Sequence, residues 1–196
     1  MTIAHRRERR PTDMTERDAE ATAPCTDAAR ARLVTAYEAC ELADLARTAV
    51  PIGEHELNPD GTPRAPGAVL ADAARVLAAA QRFLEAAVVF ERVGGADWQL
   101  VGDVLDVSPR TARVRFAMSE AAFREELLPS EGTGSGGAAG EASSLRAHMV
   151  REPLETALDL DDWVLRHEDG DSDLGTAPVS GGLVQRDPRR RTGKPS

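Results

Sequence analysis

Gly95-Ala96-Asp97-Trp98-Gln99-Leu100-Val101-Gly102-Asp103-Val104-Leu105-Asp106-Val107-Ser108-Pro109-Arg110-Thr111-Ala112-Arg113-Val114-Arg115-Phe116 reads as two helices joined by a tight corner. Asp97 is placed to cap the first helix, and Trp98, Val101 and Leu105 then share one of its faces. Gly102 offers a point where another helix can approach closely, because no side chain holds it off. The corner falls at Asp106-Val107. Ser108 is an N-cap with Pro109 at the first helical position, where a missing N–H costs nothing, so the second helix starts at a defined residue. It is expected over 108–127. Ala112, Phe116, Ser119, Phe123 and Leu127 form its inward face, and Arg110, Arg113, Val114 and Ala117 point away. No acidic residue lies between Ser108 and Ala117.

Upstream, Val69, Ala73, Val76, Ala80, Phe83, Ala87 and Phe90 alternate at spacings of four and three, with Leu70, Leu77 and Leu84 widening the stripe until Gly94-Gly95 ends it. A repeat of that length suits a dimer seam or a broad face buried inside its own domain, and the second is the expectation. Asn58-Pro59-Asp60-Gly61, Pro63 and Pro66 mark the preceding stretch as a turn-rich loop. Before it, Leu33, Ala36, Cys40 and Ala43, with Val34, Leu42 and Leu45 beside them, recur at helical spacing from an N-cap expected at Asp27 to a stop at Pro51.

The fold class is therefore all-α: a small helical domain over 25–128, its two-helix corner at 97–119, flanked by disordered N- and C-terminal segments. Aromatic residues are 4% of the chain, and abundant Ala with Leu and Val favours helices with small contact residues over a sheet. Residues 1–24 mix charge, Thr and Pro without periodicity and read as a disordered arm. Residues 129–145, nearly all Gly, Ser, Ala, Glu and Thr, read as a flexible linker. Residues 146–196 read as an acidic, mostly disordered tail that carries a short apolar island at 154–165. Leu160, Trp163, Val164 and Leu165 on that island form a candidate anchor for a protein partner of segment 154–167, with docking on its own domain or covering of the arginine-bearing helix as the alternatives.

The corner resembles the helix-turn-helix family of DNA-binding regulators, in particular the actinobacterial type with the pattern Trp-x-x-x-Gly-x-x-Leu-x-Val-Ser, in which a long helix precedes the same corner. The resemblance spans about residues 67–119. It implies that Ser108, Pro109, Arg110, Arg113 and Val114 face DNA and that Arg115 reaches backbone phosphate or packs at the helix edge. Asp106 departs from the pattern, standing where the family usually has Gly for a left-handed backbone. Pro109 also departs, replacing a frequent polar reader and leaving base readout to Arg110 and Arg113.

The partners this implies are double-stranded DNA and either a second copy of the chain or another DNA-binding partner, since three arginines neutralise only a few phosphates. A helix-turn-helix serving purely as a protein contact is the bland alternative. The net charge of −9 opposes a polyanionic partner, but much of the acid sits beyond residue 151, outside the proposed binding unit. No cofactor, metal site or enzymatic activity is expected: His5, His55, His148 and His167 are scattered, and Cys25 and Cys40 are too far apart for a redox pair and read as free thiols. No apolar run approaches the ~20 residues of a membrane helix, and the opening lacks a signal-peptide core, so a cytoplasmic protein is expected.

Overall fold

A computed structural model describes residues 25–50, 52–128, 146–168 and 174–183, and among these the regular structure is helical with one isolated β-bridge, between Leu57 and Pro63. The expectations for the arm 1–24 and the linker 129–145 lie outside the described residues. Helix α1 spans Asp27–Thr48, α2 Ala68–Val93, α3 Trp98–Val104, α4 Pro109–Glu126 and α5 Pro153–His167. Thr26, one residue before the expected cap, starts α1 by accepting the Ala29 N–H at 3.1 Å, and Asp27 supplies first-turn negative charge instead.

α1 and α2 form an antiparallel hairpin across the 49–67 connection. Ala31 and Val34 meet Ala86 and Val89, and one turn further along α1 Glu38 meets Arg82. The line of α2 that α1 covers runs through Ala79, Ala86 and Val89, small residues that let the two helices lie close. The wider stripe read from the sequence is thus only partly buried: Val69, Leu70 and Leu77 are exposed, because α1 occupies the other side of α2 and α3 reaches only its C-terminal half.

The chain from residue 146 departs most from expectation. Residues 146–151 are helical, and Val150, fully buried, joins Ala31, Val34 and Phe123 in the core between α1, α2 and α4. α5 then lies on α1, where Ala157 and Leu160 meet Leu33, and Val179 and Leu183 close the same cluster from the far side. Leu160, read as a partner anchor, is 5% exposed, and Val164 packs against the same cluster with Tyr37 and Cys40. Trp163 donates its indole N–H to the Asp44 carboxylate at 3.1 Å and stacks on His167. Leu165 alone of the four points outward, with Leu154 and Leu158 also exposed. The island docks on its own domain because α1 has an apolar face that the hairpin leaves open.

Polar contacts hold these pieces in register. Glu38, buried, receives hydrogen bonds from Arg82 of α2 and Arg146 of the 146–151 turn, a junction of three segments around one carboxylate. Asp161 accepts the Val179 and Ser180 N–H groups and the Ser180 hydroxyl, which fastens 177–183 to α5. Burial opposes the Asp161 charge, but those hydrogen bonds and nearby Arg32 outweigh it and hold the carboxyl below its ordinary value.

Candidate nucleic-acid interface

The local rules at the corner operate as read. Asp97 accepts the Leu100 N–H at 2.8 Å and starts α3; Ser108 accepts the Thr111 N–H at 3.1 Å and starts α4 behind Pro109. Asp106 has φ +53°, the left-handed conformation the corner requires. The Val107 N–H then closes on the Gly102 carbonyl at 2.9 Å. A Cβ on Gly102 would lie 2.7 Å from the Val107 oxygen and 3.1 Å from the Pro109 nitrogen, so what approaches Gly102 is the backbone of the corner itself and of the first residue of α4.

α4 is seated by Ala112, Phe116 and Phe123. Ala112 and Phe116 pack with Val88 and Val101 in a cluster that Leu84, Trp98, Leu105 and Val107 complete. One buried charge reinforces it: Glu120 accepts from Arg92 of α2 at 3.1 Å and from Arg124 at 2.7 Å. Burial disfavours its ionised form, yet these bonds and charges prevail and hold the Glu120 carboxyl below the usual glutamate range. Arg92 also bonds the Ala96 carbonyl and lies 4.4 Å over the Trp98 ring, tying α2, α3 and α4 together. Glu120 sits at inward spacing, four after Phe116 and three before Phe123, but an acid there gives no sign of burial because its Arg92 partner lies on another helix.

The outer side of α4 is set by this seating. Val114 and Met118, each 77% exposed, form its crest, with Arg110 one turn before. Arg113 and Arg115, about 100° to either side of Val114 at 100° per residue, flank that crest. Arg110, Arg113 and Arg115 are all exposed, and none takes part in an ion pair or side-chain hydrogen bond among the described residues; Arg115 lies 5.0 Å over the Phe116 ring. The other described arginines except Arg47 are hydrogen-bonded to a carboxylate or carbonyl.

Of the six candidate residues, Arg110, Arg113, Val114 and Arg115 are therefore exposed, and the three arginines have no hydrogen-bond or ion-pair partner among the described residues. Ser108 is exposed, but its hydroxyl is engaged by the Thr111 N–H and hydroxyl. Pro109 is half-buried against Gly102. These two position the helix rather than reach outward. Thr111 and Met118, not singled out from the sequence, join the exposed surface. Asp103, Asp106 and Asp97 on the α3 side are exposed acids beside it. The described side-chain hydrogen bonds and core contacts of α5 run to α1 and to 179–183, away from α4.

Among the described residues no group of three His, Cys, Asp or Glu residues comes together at metal-binding distance, and no helix is long and apolar enough to cross a membrane. No protein-family profile, curated protein or solved structure matches the chain.

Proposed function

We propose that the chain binds double-stranded DNA as a transcriptional regulator, with the N-terminal half of α4 in the major groove. The observation that carries the reading is the acid-free crest of α4, on which Arg110, Arg113 and Arg115 have no ion-pair or side-chain hydrogen-bond partner among the described residues, Arg115 resting over Phe116, while nearly every other described arginine is engaged. Val114 and Met118 between them suit apolar contact with base edges such as thymine methyls, and the flanking guanidinium groups suit phosphates or guanine edges. The corner fixes the angle at which this surface is presented. Such a function belongs in the cytoplasm, with the DNA.

A protein adaptor acting through the segment around Trp163 is the weaker reading, because Leu160, Val164 and the Trp163 N–H already serve the contact with α1. The net charge of −9 and the exposed acids beside α4 predict modest affinity, and three arginine contacts to phosphate give a logarithmic salt slope of at most about 3.

The test is retention of genomic DNA fragments by the purified full chain at two salt concentrations, followed by sequencing of the bound fraction. A shared site is expected to be enriched and to weaken with salt, each phosphate contact adding about 0.9 to the logarithmic slope. Arg110→Ala with Arg113→Ala should abolish retention at unchanged helicity. Retention undiminished by the double substitution would overturn the assignment.

A further inference from the structure

α2 carries a face that the described residues leave open. Leu70, Ala73, Leu77, Ala80, Leu84 and Ala87 follow one another at alternating steps of three and four, the spacing of a seam between paired helices. α1 packs on the other side of α2 through Ala79, Ala86 and Val89, so Leu70 remains 74% exposed and Leu77 60%. Toward its C-terminal end the seam runs into a groove of about 370 Å³ between α2 and α3, lined by Leu84 and Ala87 and by Leu100 and Val104, which are themselves 50% and 75% exposed. A protruding leucine thus stands at one end of the face and an apolar groove at the other.

We infer that a second copy of this chain docks here, the two α2 helices antiparallel and Leu77 at the two-fold axis. Leu70 and Leu84 are each seven positions from Leu77. That axis sets Leu70 of one copy against Leu84 of the other, so each copy fills the groove of its mate with its own leucine. The surface is self-complementary, as a closed two-fold contact requires. Ala73 and Ala80 at the alternate seam positions let the helices approach closely.

The area fits as well. Val69, Leu70, Leu77, Leu100 and Val104 expose roughly 550 Å² per copy, more than isolated surface residues account for and most of the ~800 Å² per partner of a standard interface. Ala73, Ala74 and Gln81, all exposed, supply the remainder. No α4 residue lines the groove, so the Arg110 side of α4 stays open in the dimer. The dimer is measured without DNA and stands or falls independently of the nucleic-acid reading.

Sedimentation equilibrium of the full chain is expected to show a concentration-dependent dimer. Leu77→Glu, which sets two carboxylates against each other at the axis and removes two buried leucines, should raise the dissociation constant at least roughly 100-fold with helicity unchanged. Leu77→Cys should oxidise readily to a disulfide between copies, located by peptide mapping apart from Cys25 and Cys40. Leu70→Cys, about 10 Å along α2 from the axis, should not cross-link to its own symmetry mate. A wild-type chain that stays monomeric at about 100 µM, a dimer indifferent to Leu77→Glu, or equal cross-linking at positions 70 and 77 would overturn the inference.

Discussion

Gly102→Ala tests the corner most directly. The added methyl would sit 2.7 Å from the Val107 carbonyl oxygen, 3.1 Å from the Pro109 nitrogen and 3.3 Å from the Pro109 Cα. All three are backbone atoms and cannot rotate aside. The corner must retreat by roughly 0.7 Å to reach ordinary contact, which weakens the 2.9 Å bond from the Val107 N–H to the Gly102 carbonyl. Overpacking of this kind costs about 1 to 3 kcal/mol and the bond about 1 more, against roughly 1 kcal/mol returned by the better helix propensity of Ala. The balance is about 2 kcal/mol of lost stability, or a Tm lower by roughly 6 to 10 °C for a domain of this size. Thermal and urea unfolding followed by circular dichroism measure it. Well below the Tm, DNA retention should fall too, because Pro109 carries the first turn of α4 with it. A Gly102→Ala chain melting within about 1 °C of wild type would refute the close approach and the rigid presentation of α4 derived from it.

Asp106→Gly should stabilise the chain by about 0.5 to 1 kcal/mol, since φ +53° is strained for any residue with a side chain, and Asp106→Ala should destabilise it; thermal melts of the pair decide the sign. Glu38→Ala should cost about 2 to 3 kcal/mol in urea unfolding, less than for a fully buried pair because the Arg82 and Arg146 side chains it strands are 45% and 24% exposed and reach water. Acid should weaken the fold through Glu120 and Asp161. Both carboxyls are held below their ordinary values of 4.5 and 3.8, so their contribution is complete above those values and is lost as pH falls through the lower folded ones. Stability measured from pH 6 to pH 2 should therefore decline below about pH 4.5, and Asp161→Asn should remove part of that decline. A wild-type curve flat across the window would contradict the bonded geometry of both groups.

The parts legible in the sequence are those fixed by near neighbours. Gly94-Gly95, Asp97 and Ser108-Pro109 set helix ends through bonds spanning three or four residues, and they end or begin helices where they were read. The left-handed backbone at Asp106, φ +53°, was legible only through the resemblance, which places Gly at that corner. Docking of the 154–167 island on its own domain was open as one alternative among others, and the burial of Val150 and Val179 was not legible, because their cover comes from Ala31 and Leu33, far away in the chain. Composition makes that stretch look like an acidic tail, whereas Asp161 is 5% exposed and bonded to Val179 and Ser180. On α2 the periodicity marked an apolar face correctly but could not say which side α1 would choose. At the candidate interface the free arginines were visible as residue types; that Ser108 and Pro109 serve the cap and the Gly102 contact emerged only from geometry.

Leu33 carries a consequence for how the chain comes into being. It lies in the first described helix, yet its cover comes from Ala157, Leu160, Val179 and Leu183. The bond from Arg32 to the Val179 carbonyl spans 147 positions. On the ribosome, α1, α2, α3 and α4 are all complete while this side of α1 is still bare, and the nascent chain must keep that patch from other surfaces until its last described segment arrives. The first of the described helices is therefore the last of them to be finished.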